Sequence, residues 1–288
     1  ACGSTTTVPE QSAPSFDPQD ASIGELVRAA NATDGLESAQ LRILALEAMI
    51  ASGDNEGATR QWTLLNNLED YPETLQLRAA LLEAQLALRN GQTAKAVSLL
   101  TETADTSFED RPELLSEYLL ALGQAYQDDG QYELALASYL RLGETGTANA
   151  GVSLNVHNEI WDAITRFSPA QLDNFASTAN SYQSRGWVEL ARVVSSEQYS
   201  IRSQLDAIRQ WQRIWSQHPA SQQLPQRLTK LELSWQQRPK HIALILPLQD
   251  SAGKAIQEGF LSAYYAALDI SRDVPKISVF DSSNLSNV

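Results

Sequence analysis

Cysteine is nearly absent from this chain: Cys2 stands alone among 288 residues, which excludes an intramolecular disulfide. Histidine is scarce too, and His157, His218 and His241 lack the i,i+4 or cysteine-paired spacing that a zinc site needs. His157, set among polar residues at an expected helix start, reads as a satisfied surface histidine. There is no Gly-Lys-Ser phosphate cradle and no Gly-x-Ser-x-Gly elbow. No stretch approaches the roughly 18 apolar residues of a membrane span. Basic residues number 21 against 35 acidic ones, and the net charge of −14 excludes binding of nucleic acid or anionic lipid through a general basic field. Acidic pairs such as Glu109-Asp110 and Asp128-Asp129 fall at expected turns, where solvated loop carboxylates explain them better than a paired acid and base. No catalytic residue, metal or cofactor is expected.

What is present begins with the tail "ACGSTTTVPEQSAPSF". A catalytic thiolate at Cys2 would need a base and an electropositive pocket, and a polar chain end holds neither in place. Two readings fit: the chain is simply cut beside a cysteine, or Ala1-Cys2 is the remnant of a bacterial lipobox. On the second reading Ala1 belongs to a removed signal peptide, and Cys2 is the fatty-acylated first residue. Acyl chains then hold the protein to a membrane, each buried methylene contributing about 0.8 kcal/mol. Gly3 after the cysteine resembles the pattern of lipoproteins sent to the outer membrane. Residues 1–22, with Pro9, Pro14 and Pro18 among small polar side chains, read as a flexible tether reaching on the order of 25 Å.

From 23 to 238 the signal is helical, and 43% hydrophobic residues suffice for real cores. Leu115, Leu119, Leu122 and Tyr126 step along one helix face, Asp129-Gly130 interrupts, and Tyr132, Leu136, Tyr139 and Leu140 line a second face. The pattern recurs. Expected turn glycines at Gly53, Gly91, Gly130 and Gly186 are each followed five residues later by a small residue, Ala58, Ala96, Ala135 and Ala191. The first three glycines are 38 and 39 residues apart and the fourth follows after 56, so the region reads as an imperfect array of helical hairpins. Ser168 is expected to cap a helix starting at Pro169. Trp187, Trp211, Trp215 and Trp235 crowd the end of the array; a carbohydrate-stacking surface and core packing both fit, and their helical spacing favours core.

After Pro239 the character changes. The apolar run "IALIL" from Ile242 to Leu246 is of the kind buried on both faces of a parallel sheet. A turn "QDSAG", an amphipathic helix and a second β-branched run, "KISVFD", complete one β-α-β unit over 239–288. One such unit cannot form a stable domain, so the natural protein is expected to continue into a doubly wound α/β domain.

The third hairpin resembles a tetratricopeptide repeat. Leu122-Gly123, Tyr126, Gly130, Tyr132, Ala135 and Tyr139 carry the match, with Gly123 and Ala135 as close-approach positions. Other copies depart from it, with Ala84 for the glycine, Trp62 or Leu100 for the closing aromatic, and a longer repeat. "IALILPLQDSAGKAIQEGF" resembles the opening of a type I periplasmic-binding-protein fold, with a shortened turn. The fold class expected is therefore mainly α, a TPR-like helical solenoid followed by the first β-α-β unit of a type I periplasmic-binding-protein-like α/β domain.

A lipid anchor, a TPR-like domain and this lobe, in that order, resemble the LpoA family of outer-membrane lipoproteins that activate a bifunctional penicillin-binding protein. The resemblance implies regulation without catalysis. Its expected partners are a class A penicillin-binding protein, met mainly through an α/β domain that lies beyond this sequence, and the outer membrane, with peptidoglycan as a further candidate. Only Cys2 carries over residue by residue, as the lipidation site. Two alternatives differ in class: a solute-binding lipoprotein with a helical extension, and a glycan-cleaving envelope enzyme with a helical superhelix.

Overall fold

The computed structural model describes residues 17–103, 111–145, 150–197, 200–270 and 274–283, with the side chains of 150–153 and 270 left aside. Cys2, and the proposed tether up to residue 16, lie outside the described residues. The chain divides into two compact units, residues 1–138 and 139–288.

The first unit holds α1 (Ile23–Ala32), α2 (Gly35–Ser52), α3 (Asn55–Trp62), a short 3-10 turn (Leu68–Asp70), α4 (Glu73–Arg89), α5 (Thr93–Thr103), α6 (Pro112–Asp128) and the start of α7 (Tyr132–Glu144). Ser22 begins α1 through a capping box: its hydroxyl accepts from the Glu25 N–H at 3.4 Å, and the Ser22 N–H donates to the Glu25 carboxylate at 2.9 Å. α1 packs on α2, α2 on α3, α3 on α4, α4 on α5 and α5 on α6, and α4 also packs on α2 and α6. Ile43, Leu46, Met49 and Ile50 of α2 share a core with Ala58 of α3 and with Ala79, Leu82 and Leu86 of α4. Arg42 is buried in this region. Its guanidinium donates to the Ala30 carbonyl (3.4 Å) and the Asn31 side chain (3.1 Å), satisfying acceptors at the end of α1, and to Gln61 at 2.6 Å.

In α6 the buried face differs from the expected one. Leu114, Tyr118, Leu119, Ala121, Gly123 and Ala125 are buried, whereas Leu115, Leu122 and Tyr126 are only half-buried. The reason is that α6 is contacted from two sides, by α4 and by α5. A helix buried on two sides has no single stripe to read.

The second unit contains the rest of α7, then α8 (Ala150–Ile164), α9 (Pro169–Thr178), α10 (Tyr182–Ser196), α11 (Ile201–Ile214), α12 (Pro219–Gln222) and α13 (Gln226–Gln236). Ser168 caps α9, with Pro169 as its first residue and a reciprocal bond to Gln171. After α13 come β1 (His241–Leu246), α14 (Ser251–Ile270) and β2 (Lys276–Asp281). The strands pair in parallel, Ile242 opposite Ile277 and Leu246 opposite Asp281. The fold is mainly α and ends in this β-α-β unit.

The apolar run of β1 is not covered on both faces. Only Leu246 is buried, while Ile245 and Phe280 remain 54% and 51% exposed. One helix cannot cover two faces of a parallel sheet. α14 also starts earlier than the expected turn allows, so Gly253 lies in its first turn. A side chain there would run into the Pro247 carbonyl, which closes the shortened turn.

Candidate functional site

Three glycines of the repeat pattern close hairpins in the same way. Gly53, Gly91 and Gly130 have φ of 82°, 70° and 76°, a left-handed conformation that β-carbons disfavour. Around Gly91 its own N–H donates to Leu88 O at 3.0 Å and the following Gln92 N–H donates to Ala87 O at 2.8 Å, the paired bonds of a Schellman ending. The same pair recurs at Gly53–Asp54 and at Gly130–Gln131. The alanines that follow, Ala58, Ala96 and Ala135, are each 0% exposed. Tyr139 and Leu136 are buried with Ala135, and Tyr132 is half-buried.

Gly186 is a correction to the fourth copy. It lies inside α10, not at a turn, and its backbone is helical. Glycine is required there by a close approach from outside the helix. An added β-carbon would sit 2.8 Å from His218 Nε2 and closer still to Cδ2. Ala191, five residues on, is 4% exposed.

His218 organises the second unit's core, and nothing in the spacing of residues announces it. It is 0% exposed, at the N-cap of α12. Its Nδ1 accepts from the Ala220 N–H at 3.2 Å, so its Nε2 carries the proton and donates to Gln183 O at 3.0 Å. Trp187, Trp211 and Trp215 surround the ring, with centroids 5.4, 5.2 and 6.3 Å away. The Trp211 indole N–H donates to Gly186 O at 3.0 Å. His157 approaches Trp187 from α8 at 5.5 Å, and its Nδ1 lies 2.8 Å from Gln223 O. His157 is therefore buried, 7% exposed, contrary to the surface role expected from its polar neighbours. Burial pushes both imidazoles below their ordinary value, against the pull of the Gln223 and Gln183 carbonyls; for His218 the neighbouring His157 adds to the lowering.

Trp187 and Trp211 are core residues, 1% and 2% exposed. Trp215 and Trp235 are half-buried, and the Arg238 guanidinium lies 3.4 Å over the Trp235 ring. His241 is exposed and bonds Ser278 across the two strands at 2.8 Å. Among the described residues no group of three His, Cys, Asp or Glu side chains is arranged to hold a metal. No described helix is long and apolar enough to cross a membrane.

At the carboxyl end of β1, where a solute would be sought in a periplasmic-binding-protein fold, backbone donors are taken by the chain itself. The Leu248 N–H donates to the Asp281 carboxylate and the Gln249 N–H to the Ser283 hydroxyl, each at 3.0 Å. The Ser283 hydroxyl and the Ser283 N–H, and then the Leu248 N–H, donate to the Asp281 carboxyl and hold it below its ordinary value.

The chain is 28% identical over 278 residues to a protein of Photobacterium profundum named penicillin-binding protein activator LpoA, covering 91% of this chain and 42% of that one. It is 27% identical to the protein of that name in Serratia proteamaculans, over 78% of this chain and 33% of that one. It thus spans less than half the length of these curated relatives. Among solved structures, Haemophilus influenzae LpoA matches 92% of this chain and 47% of its own, with a TM-score of 0.66 at 18% identity. The Escherichia coli LpoA amino-terminal domain matches 77% of this chain and 97% of its own, with a TM-score of 0.58 at 18% identity. These two likenesses establish the fold. A family model described as "LppC putative lipoprotein" matches residues 17–288, and the chain belongs to that lipoprotein family.

Proposed function

We propose that the chain is the amino-terminal part of an outer-membrane lipoprotein that activates a class A, bifunctional penicillin-binding protein. In this reading Cys2 carries the acyl anchor, residues 1–22 form the tether, 23–238 form the TPR-like domain, and 239–288 open an α/β domain. The protein reaches across the periplasm and stimulates transpeptidation without catalysing a reaction itself. The observation that carries the reading is the likeness to relatives named as activators, one of them over 91% of the chain.

Two features of the chemistry support a regulator. The Leu248 and Gln249 amides are occupied by Asp281 and Ser283, which leaves a solute less to bind at that turn. Both ring nitrogens of His218 are committed to backbone partners, so it serves packing and capping, not proton transfer.

The test is a pull-down of the full-length natural protein against the periplasmic regions of class A synthases, with cross-linking activity measured alongside. Capture together with increased peptide cross-linking is expected. Capture of no synthase, or capture with unchanged cross-linking, overturns the reading. Cys2→Ser should release the protein from outer-membrane fractions, and continued membrane association of that variant would count against the anchor.

A further inference from the structure

Within the first unit, α2 and α4 leave between them a groove of about 600 Å³. Its walls are apolar: Leu41 and Leu44 from α2, Leu75 from α4, and Pro72 and Pro18 at one end. Leu44 and Leu75 are half-buried and have no full cover within the unit. Glu37, Gln40, Thr74 and Arg78 stand on the rim.

The charges on this face do not balance. Arg78 Nε lies 2.7 Å from Glu47 Oε1 and ties α4 to α2. Glu117 on α6 feels the same Arg78, and also feels Glu47 and Glu113. Glu47 and Glu117 thus share one guanidinium, Glu113 adds negative charge beside Glu117, and Glu37 adds another carboxylate at the groove itself. Two other cations of the unit are spent elsewhere, Arg111 on Glu73 at 2.7 Å and Lys95 on Glu83 at 2.8 Å. Glu117 is an exposed residue, yet partial loss of water around its carboxyl, and the like charges of Glu47 and Glu113, push it above its ordinary value against the pull of Arg78. A cation supplied from outside would relieve that crowding.

We propose that this face is a docking groove for a basic, apolar peptide segment of a partner protein. The partner's apolar side chains sit between α2 and α4, and its lysines or arginines lie beside Glu47 and Glu117. Charge decides among the possible occupants. The chain's own residues 1–16, which precede Pro18 in the sequence, include Glu10 and no basic residue. A second copy brings a net charge of −14 to an acidic face. The inference rests on the geometry of the first unit and does not depend on the activator reading.

The test is selection of a displayed random peptide library on the full chain, followed by fluorescence anisotropy with the recovered peptides. Recovered sequences should combine Lys or Arg with Leu, Ile or Pro. Their affinity should fall severalfold between about 0.05 and about 0.3 M salt. Thr74→Trp, which fills the groove from an exposed rim position, should weaken binding about tenfold or more. Glu37→Gln with Glu117→Gln should weaken it about three- to tenfold with a melting midpoint no lower than the parent's, which keeps the test decisive if the tryptophan variant misfolds. No recovery above background, recovery of neutral or acidic peptides, or affinity untouched by these variants overturns the proposal. So does displacement of the peptides by a synthetic copy of segment 1–16, which would mean that the chain fills its own groove.

Discussion

Glycine inside a helix costs about 0.5–1 kcal/mol relative to alanine, so an interior glycine is judged by what stands against it. Gly186 faces the His218 imidazole within contact distance, whereas nothing lies within 4 Å of a β-carbon built on Gly259 in α14. The same substitution should therefore act in opposite directions. Gly186→Ala forces the ring off its bonds to Gln183 O and the Ala220 N–H, and should cost about 1–3 kcal/mol. Gly259→Ala should gain about 0.5–1 kcal/mol of helix propensity. Urea unfolding midpoints of the two variants check both signs; a Gly186→Ala protein as stable as the parent would show that His218 has room to move.

At the scale of elements, two substitutions probe the hairpin grammar. Gly91→Ala places a β-carbon at φ 70° and should lose about 1 kcal/mol or slightly more through strain in the turn. Ala135→Phe puts a ring where the exposure is 0% and should cost about 1–3 kcal/mol or more. An unchanged midpoint for either, read by circular dichroism in urea, contradicts the hairpin role given to that residue. The hairpins were legible because their determinants are local: a left-handed turn favours glycine wherever it occurs, and the small residue follows at fixed distance. Gly186 was misread because glycine also answers a close approach, and here the approaching residue, His218, comes from another helix. His157 departs from its expected surface role, and His218 carries no local signal, for the same reason: the carbonyls they meet are 66 and 35 residues away in the chain. The face of α6 shifted because two neighbours contact it, which no periodicity within α6 encodes. The division within α7, between Ser138 and Tyr139, has no compositional mark either.

For the molecule as a whole, acid is the informative stress. Between about pH 7.5 and pH 5.5 ordinary carboxylates stay ionised, so most of the change in protonation falls on histidine. In the unfolded chain His157 and His218 titrate near 6.5, while in the fold both are held below that by burial. The unfolded state then binds protons that the folded state refuses. Their stabilising contribution is complete above about pH 6.5 and is lost as the pH falls toward the folded values, at up to about 1.4 kcal/mol per pH unit for each ring. Two effects oppose this. Protonation reduces the net charge of −14 and its self-repulsion, but a Debye length of about 8 Å in physiological salt weakens that term. Glu117, held above its ordinary value, is relieved by acid, and a Glu117→Gln background removes its contribution. Urea midpoints in that background should therefore fall between about pH 7 and pH 5.5, and His157→Gln should make the fall shallower. A midpoint that stays level or rises on acidification would mean that the two rings accept protons in place, and that the cluster around His218 is looser than its bonds to Gln183 and Ala220 require.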